Sequence, residues 1–229
     1  MDIKEVRANN PLVDLFCTLA EIPSPSLKEE KVADKIIEIC ASNGIHAEKD
    51  SYGNVYAYVK ATDNKKPLLL SAHMDVIGDN SPVITYLDGD LIKAEGRTLG
   101  ADDKAGVANA LYFALQLAKS DMKHGGLELF FTRDEESGMS GIRNADFNKI
   151  NSKYVLVCDS DKLGQFEISG ASYTLVTINL KTFKGGHSGN DIGDKTRFNS
   201  GKLLAELINN LPQGVYFEEN GFVVCRPFL

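Results

Sequence analysis

Four clusters of acidic and histidine side chains stand where an apolar run ends or a helical pattern begins. The first is Ser71-Ala72-His73-Met74-Asp75, directly after Leu68, Leu69 and Leu70. Residues two apart on an extended chain project to the same side, so His73 and Asp75 share a face. A metal-bound imidazole steadied by a carboxylate uses that pairing, although a solvated surface pair accounts for an isolated HxD equally well. The second cluster, Leu99-Gly100-Ala101-Asp102-Asp103-Lys104, opens a helical pattern. An acid is favoured at a helix N-terminus on electrostatic grounds alone, which explains one of these carboxylates but not two. The third, Thr132-Arg133-Asp134-Glu135-Glu136, sets three consecutive acids directly after the run Leu127 to Phe131. Like charges so placed repel unless the turn is solvated, and a dication would convert the repulsion into binding and leave one carboxylate as a base. The fourth is Asp159, directly after Tyr154 to Cys158.

These side chains need a scaffold that brings distant segments together. Residues 11 to 21 carry an apolar stripe behind Asn10 and Pro11, and a second stripe runs from Val32 to Cys40, with Ser26 and Glu29 at capping-box spacing before it. Apolar or β-branched runs at 54–59, 67–72, 127–131 and 154–158 predict strands. Asp88-Gly89 predicts a hairpin between 83–87 and 90–94, and 105–119 predicts the longest helix. Strands alternating with helices imply an α/β fold with a mixed, largely parallel sheet and helices on both faces. Ligands of such sheets bind beyond the carboxyl ends of the strands, so acids from three strands are expected to meet in one crevice. An oxygen-rich set with one imidazole suits two divalent ions, zinc first, with manganese or cobalt as alternatives.

The pattern changes near residue 173. An alternating run at 175–181, a glycine-rich loop at 185–189, a helix from about 198 to 211 and a strand near 221–225 predict the start of an α+β lid. The division expected is 1–172, a metal-binding catalytic domain, and 173–229. Gly186-His187-Ser188-Gly189 is not a serine nucleophile elbow, because GxSxG requires glycine where Asn190 stands.

The 229 residues are 43% hydrophobic, enough for a substantial core, and carry a formal charge of −7. That charge disfavours nucleic acid or an anionic membrane surface as a partner and suits a small soluble substrate. No run approaches the roughly 20 apolar residues of a membrane helix, so the cytoplasm is the expected location. Cys17, Cys40, Cys158 and Cys225 lack CxxC spacing and are expected as core thiols.

Taken in order, HMD, GADDKAG, TRDEESGMSG, CDSD and GGHSGNDI resemble the M20 metallopeptidases, and most closely the bacterial aminoacyl-histidine dipeptidases. The DDK is also similar to the tripeptide aminopeptidases. The resemblance implies a dipeptidase of Xaa-His type in which His73, Asp102 and Asp159 bind one metal and Asp102 bridges to a second held by Glu136. It further implies that Asp75 orients His73, that Glu135 is the general base, and that the Asp102–Asp103 peptide is cis. In the lid, His187 would meet the substrate carbonyl or the developing oxyanion. A homodimer through the lid follows from the same resemblance. In that family a histidine far downstream completes the second metal site and the chain returns to the sheet. Neither is present here, and His46 and His124 lie outside the motifs, so the chain is expected to be incomplete and inactive alone. A related N-acyl amino acid amidohydrolase, or a noncatalytic metal-binding descendant, stays open.

Overall fold

The computed structural model describes residues 2–160, 162–169, 177–181, 184–187 and 189–210, with the backbone of 216–217 and 222–223. Two compact units divide the chain, 1–166 and 167–229. The break lies six residues before the change of pattern at 173.

Helix α1, Ile3–Asn9, was not expected. It buries no residue and so leaves no apolar stripe, but the Asp2 carboxylate accepts from Glu5 N at 2.8 Å and caps it. Helix α2, Pro11–Ala20, starts as predicted, with Asn10 Oδ1 accepting from Leu12 N and Val13 N. Helix α3, Glu30–Ser42, starts later than the capping-box spacing suggests. The Ser26 hydroxyl donates to Asp75 Oδ2 instead, and Leu27 turns the chain at φ +65.

Five strands form the main sheet: β1 (His46–Lys49), β2 (Val55–Val59), β3 (Leu68–His73), β6 (Leu127–Thr132) and β7 (Val155–Val157). Their order is β1-β2-β6-β3-β7. The β1–β2 and β2–β6 pairings are antiparallel, whereas β3 pairs in parallel with both β6 and β7. Three parallel strands therefore lie side by side, and their carboxyl ends, each carrying acids, open at one edge. Strands β4 (Thr85–Asp88) and β5 (Leu91–Ala94) form the expected hairpin, with Gly89 at φ +62 in its turn.

Side-chain alternation decides what each face packs against. Val55, Ala57 and Val59 of β2, Leu70 and Ala72 of β3, and Leu127, Leu129 and Phe131 of β6 all point into one core. Helix α3 and helix α4, Ala101–Ala118, meet them there through Val32, Ile36, Val107 and Leu111. Each such large side chain contributes about 1.5–3 kcal/mol when fully buried. The intervening Tyr56, Leu69 and Phe130 pack on the opposite face with Tyr58, Ala145 and Ile150. Both faces are covered, as an unbroken Leu68-Leu69-Leu70 run requires. Short helices α5 (Glu135–Gly138) and α6 (Ser140–Arg143) follow β6. Cys17 and Cys40 are buried and free, whereas Cys158, at the end of β7, is only half-buried; Cys225 lies outside the described residues.

In the second unit, helix α7 is Ser200–Asn210, and strands β8 (Tyr216–Phe217) and β9 (Phe222–Val223) pair antiparallel. Of the run predicted as a strand at 175–181, residues 177–181 carry no strand and the rest lie outside the described residues. No helix among the described residues is long and apolar enough to cross a membrane.

Candidate metal centre

The register of the three parallel strands sets the site. His73, the last residue of β3, pairs with Thr132 of β6, and Cys158 N donates to Ser71 O at 2.7 Å. The loops that begin at Met74, Arg133 and Cys158 thus start at nearly one level. His73 is 3% exposed and faces three carboxylates. Its Nδ1 lies 2.9 Å from the Asp75 carbonyl and 3.3 Å from Asp75 Oδ1. Its Nε2 lies 3.0 Å from Asp102 Oδ1 and 4.0 Å from Asp159 Oδ2.

The two acids of the second motif part company. Asp102 and Asp103 have non-helical φ/ψ at the start of α4, and the peptide between them is cis, as the resemblance implied. The Asp102 side chain is 73% exposed toward the crevice. Asp103 turns inward, accepting from His73 N at 3.2 Å and from Gly106 N at 3.0 Å. Gly106 is required here: a Cβ would stand 2.2 Å from Asp103 Oδ1 and 2.3 Å from the Cys158 carbonyl. The neighbouring Lys104 is buried, and its Nζ donates to Leu19 O at 3.0 Å and Ile22 O at 2.9 Å, tying α4 to the end of α2.

The three acids after β6 also separate, which corrects the expectation that they repel as a group. Asp134 is buried at φ +55 and accepts from the Ser140 amide and hydroxyl. Only Glu135 and Glu136 are left for the crevice. Their amides donate to Asp75, Glu135 N to Oδ1 at 2.9 Å and Glu136 N to Oδ2 at 3.1 Å.

The electrostatics of the cluster are those of uncompensated negative charge. Burial raises Glu135 and Glu136 above the usual carboxylate range, with neighbouring acids adding to it, and Asp159 is raised in the same way. Burial, then the charge of Asp159, pushes Asp103 up to about 8. Burial opposes a charge on His73, but the Asp75 bond and the surrounding carboxylates prevail and raise it to about 10. Asp75 alone moves the other way: burial is outweighed by His73, the two amides and Ser26, and it falls to about 2.

Among the described residues two groups of side chains could hold a metal ion, His73 with Asp102 and Glu136, and His73 with Asp103 and Asp159, the ligand atoms of each lying within 4.8 Å of one another. All four metal ligands expected from the sequence are brought together, with Asp75 and Glu135 beside them. Asp103, not among the expected ligands, joins them. In the second unit, His187 Nδ1 accepts from Gly189 N at 3.1 Å and Asn190 N at 3.3 Å. A neutral ring in that arrangement carries its proton on Nε2. His46 and His124 belong to neither group.

Acids gathered on an imidazole at the carboxyl ends of a mixed α/β sheet define the class, that of the α/β peptidase-type domains. A family model described as peptidase family M28 matches residues 54–219, and the chain belongs to that family. The recognition is of M28/M20 type, as the order of the motifs implied. The cytosol non-specific dipeptidase of Escherichia coli (strain K12) is 33% identical over 86% of this chain and 46% of its own length. The aminoacylhistidine dipeptidase of Vibrio alginolyticus superimposes with a TM-score of 0.60 at 30% identity, over 87% of this chain and 46% of that one. A tripeptidase from Staphylococcus aureus gives a TM-score of 0.62 at 25% identity, over 66% of this chain and 43% of the other. The chain therefore spans about half the length of the relatives it matches.

Proposed function

We propose that the protein is a two-metal hydrolase that cleaves dipeptides, of Xaa-His type, with an activated water. The observation that carries this reading is the pair of overlapping donor groups on His73 with Glu135 beside them. One imidazole among carboxylates fits zinc, manganese or cobalt. His73, Asp102 and Asp159 would hold one ion, and Asp102 with Glu136 the other. Asp102 is preferred to Asp103 because both Asp103 oxygens already accept backbone N–H groups. Bound ions of this kind acidify water and polarise a carbonyl.

Glu135 takes a proton from the attacking water and delivers it to the leaving amine. Asp75 fixes the ring of His73. His187, with its proton on Nε2, is the donor for the substrate carbonyl oxygen. The substrate is a small peptide and the location the cytosol, a reading that the dipeptidases among the relatives support; the complete protein is a homodimer through the lid by the family resemblance alone.

The test is hydrolysis by the full-length protein, supplied with zinc or manganese, of a histidine-containing dipeptide, a tripeptide and an N-acetyl amino acid. The dipeptide should be cleaved fastest. Faster tripeptide cleavage would move the reading toward the Staphylococcus tripeptidase, and cleavage of the N-acyl substrate alone would overturn it.

A further inference from the structure

Between α2 and α3 the chain runs through Pro23-Ser24-Pro25-Ser26-Leu27-Lys28-Glu29. Two prolines restrict its backbone, and Leu27 is held at φ +65 although its side chain is exposed. A bulky residue in that region is disfavoured by about 1–2 kcal/mol, so other bonds must enforce it. Leu27 N donates to Glu29 Oε1 at 2.8 Å, and Lys28 N to Pro25 O at 2.9 Å.

The polar groups of this segment reach two separate loops. The buried Ser24 donates from Oγ to Met74 O at 2.7 Å, and its carbonyl accepts from Val76 N at 3.0 Å. Ser26 Oγ donates to Asp75 Oδ2 at 2.8 Å. Those bonds grip the loop after β3. Glu29, 1% exposed, grips the loop after β6: Oε1 accepts from Asp134 N at 3.0 Å, and Oε2 lies 2.8 Å from Arg133 Nη2. A buried ion pair is a poor stabiliser, because desolvation offsets its attraction and an apolar pair would fill the same space. What an apolar pair could not do is accept the N–H one residue before the proposed base.

We propose that residues 24–29 are a positioning strap for the metal centre, in which Ser26 and Glu29 set how Glu135 and Glu136 stand against His73. This rests on the hydrolase reading above. Neither residue is placed on a metal ion or substrate; Ser26 acts through Asp75, and Glu29 through the backbone of Asp134.

The experiment uses the full-length protein and its S26A, S26T, E29Q and E29A variants, with three readouts: amide hydrogen exchange without metal, zinc affinity by calorimetry, and thermal midpoint. S26A should speed exchange at Glu135 and Glu136 roughly three- to tenfold, the worth of about one hydrogen bond. It should also weaken zinc binding roughly three- to tenfold, less than replacing Asp75 itself, since one bond to Asp75 is lost and the others stay. S26T should restore both. E29A should speed exchange first at Asp134, with E29Q between it and the parent because one acceptor oxygen is retained. Unchanged exchange at 134–136 and unchanged zinc affinity in S26A and E29Q, with only a lower midpoint, would make the segment a purely structural turn and overturn the proposal. If E29A does not fold, S26A with its S26T rescue decides. A parent protein that binds no zinc would sink the hydrolase reading, while exchange at 134–136 would still decide whether the strap sets the loop.

Discussion

The carboxyl ends of β3 and β7 both carry a proposed metal ligand, but they are held very differently. β3 lies between β6 and β7, and His73 and Asp75 at its end are 3% and 0% exposed, with hydrogen bonds to three separate segments. Among the described residues β7 is a three-residue strand at the end of the sheet, and its Val155 and Val157 are 53% and 62% exposed. The carboxylate of Asp159 beyond it comes no nearer than 4.0 Å to His73. The buried end fixes a ligand direction in advance, whereas the open end brings charge that an ion can gather.

The sharpest way to break this comparison is to ask whether the buried end can hold an ion without its open partners. It should not: Asp102→Ala in the full-length protein is expected to abolish binding of both ions, because one carboxylate serves both. Metal content of the purified variant checks this, and two ions per chain would remove Asp102 from the bridging role. Next in size, Glu135→Gln should lower turnover about a hundredfold or more with metal content unchanged, since the amide cannot accept the proton. A rate near the parental one would show that Glu135 is not the base. Asp75→Asn tests the fixed end itself. It should weaken metal binding by roughly ten- to a hundredfold, measured by competition with a chelator, and a parental affinity would mean that the ring of His73 is held without it. The smallest effect belongs to the open edge. Val157→Thr should change unfolding free energy by about 0.5 kcal/mol or less in denaturant titration, and a loss above about 2 kcal/mol would show that β7 is covered.

Much of this architecture was readable from local pattern. The runs at 68–70 and 127–131 announced buried strands, and an acid placed after each strand announced a crevice. Short-range signals failed where a side chain had a distant competitor. Ser26 and Glu29 have the spacing of a helix cap, yet their oxygens go to Asp75 and to Asp134, 49 and 105 residues away. The fate of Asp134 was equally hidden, since three adjacent acids look alike until the fold turns one toward Ser140. Helix-terminus electrostatics left Asp102 and Asp103 undistinguished, because nothing local reveals that the oxygens of Asp103 meet the amides of His73 and Gly106. The pairing of Glu29 with Arg133 had no periodic signature at all.

The strand order has a consequence for how the molecule is made. β2 and β3 are consecutive in the chain but do not pair; β6, made after residue 126, inserts between them. A ribosome that has released only the first hundred residues has released His73 and Asp75 without the strand that aligns them with Glu135 and Glu136. The centre is therefore assembled by a late insertion, closing a loop of more than fifty residues between β3 and β6 in one step. Such long-range closure is slow relative to helix formation.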